Sequence, residues 1–296
     1  MTLRSALVAL IILLAAGASY LYLRDLNFPL LQPAGPLAMH ERDMIVFTVL
    51  MCLIAIIPAY IMLFVFAHRF RADRDATADT HAPEWDHNSA ALEIAWWGVP
   101  ALIVIILSVV SWKGTHALDP YEPLPGTALE VQVVALDWKW LFIYPEYKIA
   151  TINVLPIPAG VPIHFSLTAD APMNSFWVPQ LGGQIMVMPG MNSQLYLQAD
   201  RPGIFEGYSA NLSGRGFADM HFNVHAVPRD AFETWARSVQ EEALPLSWET
   251  YAALAAPSRN EPAALYSPVQ DGLYTAVMNT FMVPPAHVET RSVHTP

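Results

Sequence analysis

Cysteine is almost missing from this chain of 296 residues: the one thiol is Cys52, and it sits inside an apolar run. A disulfide framework needs two cysteines, so none can form, and every metal centre built on paired thiolates is excluded with it. A lone cysteine among apolar neighbours is ordinarily a small packing residue. Charge is scarce as well. Asp, Glu, Lys and Arg make up 14 % of the residues, against about 25 % in an ordinary soluble domain. Basic residues are the scarcer sign, 15 against 26 acidic, for a formal net charge of -11. No Lys/Arg cluster offsets that balance, which excludes a nucleic-acid partner. The sequence also lacks a phosphate-binding loop and any evident nucleophile–base arrangement.

What is abundant is apolar side chain, 54 % of the total, concentrated before residue 113. Residues 44–67 carry no charge and one proline, Pro58, and residues 91–112 are interrupted only by Glu93 and Pro100. Each run is long enough to cross a hydrocarbon core of about 30 Å. Residues 44–68 and 91–112 are therefore predicted to be transmembrane helices. Arg69, Arg71 and Arg74 follow the first of them. The positive-inside rule places the loop 69–90 in the cytoplasm, with the lead-in 24–43 and everything after Trp112 outside. Trp96, Trp97 and Trp112 suit anchoring at the membrane interface. Another apolar run, within residues 1–23, follows Arg4. It reads as a signal peptide cleaved at Ala16-Gly17-Ala18 or as a retained N-terminal membrane segment. Both readings give the same topology downstream.

From Leu129 the texture changes to short strands separated by turn residues. Candidate strands are 129–140, 152–155, 162–167, 175–178, 184–187, 194–198, 204–208 and 220–226. Many short strands in about 100 residues imply a β-sandwich or a Greek-key barrel for the domain 126–228. After Pro228 the chain turns helical and aromatic over 229–285, where Asp230 is expected to cap a helix running to Val239. Tyr251, Tyr266, Tyr274 and Phe281 are expected to cover the sandwich or to touch partner subunits, and residues 286–296 to be disordered.

Certain motifs make this outline specific. Leu136-Asp-Trp-Lys-Trp-Leu-Phe-Ile-Tyr-Pro-Glu146, Asn174-Ser-Phe-Trp-Val-Pro179, Met188-Pro-Gly-Met191 and the segment Gly203 to Gly214 resemble the conserved blocks of subunit II of the haem–copper respiratory oxidases. Glu93-x-x-Trp96-x-x-x-Pro100 resembles the start of that family's second helix. The resemblance runs from about Pro29 to Phe281. It implies a two-helix hairpin followed by a cupredoxin-like Greek-key sandwich in the periplasm of a bacterial inner membrane.

One branch of that family, the cytochrome c oxidases, carries a binuclear copper centre in this domain, on a cluster of the form Cys-x-Glu-x-Cys-x-x-x-His-x-x-Met. Its bridging thiolates are soft and deprotonate on binding, as copper requires. Here the same frame reads Ser209, Asn211, Ser213, Phe217 and Met220, and the upstream histidine position is Asn174. Only Met220 remains of the ligand set. A frame without copper resembles the quinol-oxidase branch, the cytochrome bo type. That resemblance implies no cofactor and no catalytic residue in this chain, with haems, copper and quinol chemistry in a partner subunit I. It further implies subunits III and IV as neighbours, a lipid bilayer around the hairpin, and no cytochrome c.

In the resembled family the acid at the position of Glu93 marks the mouth of a proton channel. The bland alternative is a helix-end carboxylate that reaches water or favours the positive helix N-terminus. Trp138 and Trp140 are expected to be packing residues. Met186, Met188 and Met191 are expected to face the sandwich core or a neighbouring subunit rather than hold copper. His221 and His225 fall on one face of a strand with no third ligand beside them, so no metal site is expected there. A free-standing anchored sensor or binding protein is the competing class; it would be stable without a haem-bearing partner.

Overall fold

The computed structural model describes residues 17–18, 28–69 and 90–282. Apart from Gly17 and Ala18, the expected signal or N-terminal membrane segment lies outside the described residues. So do Arg71 and Arg74 of the expected cytoplasmic loop, and the tail 286–296. The chain forms two compact units, one of them spanning Met39–Glu122.

That unit is built on two helices, α1 (Pro36–Arg69) and α2 (Ala90–Ala117). Both are long and apolar enough to cross a membrane. Neither shows an apolar stripe, because apolar side chains occupy the whole circumference, as in a helix surrounded by lipid or by other apolar helices. Pro58 and Pro100 lie inside them. At Gly114 a side chain would collide with the thioether of Met44, so the missing Cβ lets the end of α2 approach the start of α1.

The outer domain holds two sheets. The first runs in the order β11-β12-β3-β2-β1-β5-β8, and the second β4-β10-β9-β6-β7. The strands of the sandwich proper are β1 (Leu129–Leu136), β2 (Lys139–Tyr144), β3 (Ile149–Ile152), β4 (Val154–Pro158), β5 (Ile163–Ala169), β6 (Asn174–Val178), β7 (Gly182–Val187), β8 (Ser193–Leu197), β9 (Gly203–Ser209) and β10 (His221–Val227). Two expected strands need correction. The run 129–140 is a hairpin that turns at Asp137-Trp138, with Leu136 paired to Lys139. The run 152–155 straddles two strands in different sheets, broken at Asn153, whose φ of 53° is left-handed. Pro156 and Pro158 sit on β4, an edge strand, where a missing N–H costs nothing to the ladder.

Between the sheets lies an aromatic core. Phe222 stacks on Phe176 with centroids 5.2 Å apart, and Trp140 meets both edge-on at 5.8 and 5.4 Å. Gly207 lies flat beneath Phe222; any Cβ there would enter the ring. The lead-in also belongs to this domain. The Ala34 N–H donates to the Gln180 carbonyl (2.7 Å) and its carbonyl accepts from Asp200 N–H (2.8 Å), which seats the segment before α1 against the sandwich.

The C-terminal extension does more than cover. It runs α3 (Arg229–Glu242), β11 (Leu244–Leu246), α4 (Trp248–Ala255), β12 (Ala264–Val269) and α5 (Leu273–Thr280). Its two strands join the first sheet, β12 antiparallel to β3 and β11 parallel to β12. The helix expected to be capped by Asp230 begins one residue earlier: Pro228 is the N-cap, with no side-chain bond, and Asp230 lies in the first turn. There its charge still complements the helix dipole. Leu246, Tyr251, Leu273, Tyr274 and Val277 form a second core against Val134, Leu136, Leu141, Ile143 and Ile152 on the far face of the sheet.

Buried tyrosines stitch these layers. The Tyr144 hydroxyl donates to the Pro156 carbonyl (2.8 Å), Tyr251 to Asp170 (2.6 Å) and Tyr274 to Asn192 (2.7 Å). Burial pushes all three phenols up, and for Tyr251 the Asp170 hydrogen bond and charge add to it. A phenol that stays protonated in the folded state but ionises in the unfolded one stabilises the fold fully below about pH 10 and less above it. Burial lowers Lys139, so that group works the other way, raising stability with pH until its ordinary pKa of 10.5 is passed. The thermal stability of the full-length chain should therefore fall steeply above about pH 10, by up to roughly 1.4 kcal/mol per pH unit for each buried phenol. A melting temperature unchanged between pH 9 and 11.5 would contradict the burial of these hydroxyls.

Candidate functional site

The six positions of the copper-ligand frame come together at one end of the sandwich. Asn174 opens β6, Ser209 closes β9, Asn211 and Ser213 follow in the next loop, Phe217 begins a 3₁₀ turn, and Met220 directly precedes β10. Asn174, Ser209 and Met220 are buried. The Ser209 hydroxyl donates to Asn174 Oδ1 at 2.9 Å, and the Ser209 N–H to the Met220 carbonyl at 3.1 Å. Asn174 Nδ2 donates to the Pro172 carbonyl (2.7 Å), and Asn211 Nδ2 to the Met173 carbonyl (2.9 Å). Ser209, Phe217 and Met220, with Trp177, Glu206, Tyr208 and His221, line an open groove of about 410 Å³.

The chemistry of this set does not fit a binuclear copper centre. Serine hydroxyls do not ionise near neutral pH, a phenyl ring has no donor lone pair, and one thioether is a weak ligand. The Ser213 oxygen, where the resembled copper frame has a cysteine, is buried without a hydrogen-bond partner. Among the described residues no three His, Cys, Asp or Glu side chains converge as metal ligands.

Trp138 and Trp140 both pack. Trp140 is fully buried in the aromatic core. Trp138, at φ 66°, lies over Gly214 and Gly216, and its indole N–H donates to the Ser213 carbonyl at 3.3 Å. Gly216 in particular cannot carry a Cβ, because the indole occupies that space. Of the two faces expected for the methionines, the core is not the one taken by Met186 and Met191, which are 44 % and 50 % exposed and stand where a neighbouring subunit could meet them. Met186 pairs with Ser175 in the ladder and shares the outward face with Gln184 and exposed Ile204. His221 and His225 sit opposite Tyr208 and Ile204 on β10. Glu93 lies in the first turn of α2 with its side chain exposed.

Sequence reasoning missed a polar cluster beside the frame. Lys139, 1 % exposed, donates to the Ala256 carbonyl (2.9 Å) and to Ser258 (2.5 Å), whose hydroxyl donates in turn to Glu261 (2.5 Å). Arg259 donates twice to one oxygen of Asp219, from Nε at 2.9 Å and from Nη2 at 2.7 Å. No spacing signals these pairs, since the partners lie on opposite sides of the strand and extension blocks. The pair of Glu130 and His164 (2.6 Å), with His164 stacked on Tyr196 at 4.4 Å, was also missed, although both sit on adjacent strands.

Comparisons with known proteins point one way. Three family models match the chain: the cytochrome c oxidase subunit II transmembrane domain at residues 24–113, its periplasmic domain at 146–227, and the COX aromatic-rich motif at 240–285. Ubiquinol oxidase subunit 2 of Acetobacter aceti is 41 % identical over 93 % of this chain and 90 % of its own. Cytochrome bo(3) ubiquinol oxidase subunit 2 of Pseudomonas putida is 43 % identical over 88 % and 83 %, and quinol oxidase subunit 2 of Bacillus cereus 43 % over 79 % and 80 %.

The two frame serines should respond in opposite ways to truncation. Ser209→Ala strands the buried Asn174 oxygen and should cost about 1–3 kcal/mol, whereas Ser213→Ala removes an unpaired hydroxyl and should be neutral or stabilising by up to about 1 kcal/mol. Paired thermal melts of the full-length variants measure the contrast, and equal losses at both positions would refute it.

Proposed function

Because the chain belongs to the family of ubiquinol oxidase subunit 2, within the cytochrome c oxidase subunit II proteins, we propose that it serves a proton-pumping quinol oxidase as the subunit that supports assembly of subunit I and contributes a proton-channel entrance at Glu93. It is a haem–copper oxidase subunit II, part of an oxidoreductase complex. The observation that carries the reading is the match of about 40 % identity along nearly the whole of both chains, hairpin, sandwich and extension alike.

The chemistry supports it. An electron donor in the water phase needs a relay outside the membrane, whereas quinol is lipid-soluble and reduces a haem within the bilayer directly. A subunit whose outer frame holds Ser209, Ser213 and Phe217 in place of ligands fits the second case. Quinol oxidation, oxygen reduction and proton pumping then belong to subunit I, with its haems and copper. Subunits III and IV complete the assembly, and cytochrome c has no role. The hairpin crosses the inner membrane with the 69–90 loop in the cytoplasm and the outer domain in the periplasm. That orientation puts Glu93, in the first turn of α2, near the cytoplasmic face. An acid inside a span is costly, by about 2.5–3.5 kcal/mol at mid-membrane, and such groups mark ion paths.

Mild-detergent purification of the tagged chain from its native membrane tests the assignment. Haem in the product, oxygen uptake with quinol and none with reduced cytochrome c are expected. A chain that emerges alone and colourless would favour the free-standing binding protein. Glu93→Ala should slow quinol-driven turnover while haem content and subunit composition stay normal; normal turnover across pH would remove the proton role.

A further inference from the structure

The segment that carries Asn211, Ser213 and Phe217, whose side chains do not fit a copper centre, has a backbone ordered into specific hydrogen bonds. The Phe217 N–H reaches Gly214 (3.2 Å), Asp219 N–H reaches Gly216 (3.0 Å), and Met220 N–H reaches Phe217 (3.1 Å). Besides the bonds of Asn211 to Met173 and Ser209, two contacts hold this segment from outside, and both lead to one loop of the C-terminal extension. The first is direct: Arg259 bonds Asp219 through two nitrogens. The second passes through the β1–β2 hairpin. Trp138 lies on Gly214 and Gly216, and the next residue, Lys139, is gripped by the Ala256 carbonyl and by Ser258, with Glu261 at 3.9 Å. Asn153 closes the circuit, taking the Trp140 N–H on its oxygen (2.9 Å) while its amide donates to the Glu261 carbonyl (2.8 Å).

We infer that loop 256–261 is a polar clasp that locks segment 211–219 by the Arg259–Asp219 pair and by the Lys139–Ser258–Glu261 chain. The buried ammonium makes the clasp obligatory for the hairpin. A charge with 1 % exposure tolerates burial only while its partners remain, and removing one leaves it uncompensated. The Arg259–Asp219 pair is the adjustable half, since Asp219 and Arg259 side chains are 23 % and 59 % exposed. Lys139 anchors the loop; Arg259 reaches across to the segment.

Hydrogen–deuterium exchange on the full-length chain in detergent, with the subunits that accompany it, tests this. Arg259→Gln should speed exchange of the Phe217, Asp219 and Met220 amides by roughly three- to fivefold, in keeping with a partly exposed ion pair. Strand β5 should exchange as before. Asp219→Asn should give the same pattern, and the double variant should add little to either single one, because all three remove one interaction. Lys139→Met should loosen 256–261 and 213–219 together. If it fails to fold, the Arg259 and Asp219 variants still decide. Unchanged exchange at 217–220 overturns the clasp, as does acceleration spread evenly over the sandwich, which would mark general destabilisation.

Discussion

Strands β2 and β3 are buried on both faces, and the outer domain is arranged around that constraint. Every residue of β2 from Lys139 to Tyr144 is inaccessible. Alternate side chains enter different cores: Trp140, Phe142 and Tyr144 face the second sheet, while Leu141 and Ile143 face the extension. A strand with one wet face alternates polar and apolar residues; this one cannot, and reads as a continuous apolar run. Uncovering Leu141, Ile143 and Ile152 would forfeit about 1.5–3 kcal/mol apiece. That sum rivals the 5–15 kcal/mol by which whole domains are stable. The extension is therefore a third layer of the fold, and the sandwich without it is an incomplete structure.

This double burial also decides what was legible in the sequence. The apolar runs of α1 and α2 and most strands of the sandwich declare themselves by periodicity and turn residues. The six frame positions were found in one place because the motifs preserve their spacing. The hairpin at Asp137-Trp138 was hidden, since a bulky residue at φ 66° is not a turn signal. Trp138 is held there by tertiary contacts with Gly214, Gly216 and the Ser213 carbonyl. Strands β11 and β12 were hidden for a similar reason. One is three residues long and each contains a proline, so they exist only because β3 offers an edge to pair with. Lys139 in an aromatic strand reads as a side chain pointing to water; its acceptors lie 117 and 119 residues away.

The frame that resembles a copper site is held by polar contacts between its own residues and their neighbours. A metal ties several ligands at once with strong bonds. The contacts found here are three single hydrogen bonds, worth about 0.5–1.5 kcal/mol each, and one two-pronged, partly exposed ion pair. Ser209–Asn174, Asn211–Met173, Trp138–Ser213 and Arg259–Asp219 must act together to define one backbone path. The Ser213 hydroxyl is buried there without a partner of its own. The frame's shape is held by a graded set of polar contacts, from the buried Ser209–Asn174 bond to the exposed Arg259–Asp219 pair. On the proposed reading that shape serves the fit of the outer domain in its complex: with electrons arriving from the lipid phase, an outer relay is dispensable and a well-defined surface is not.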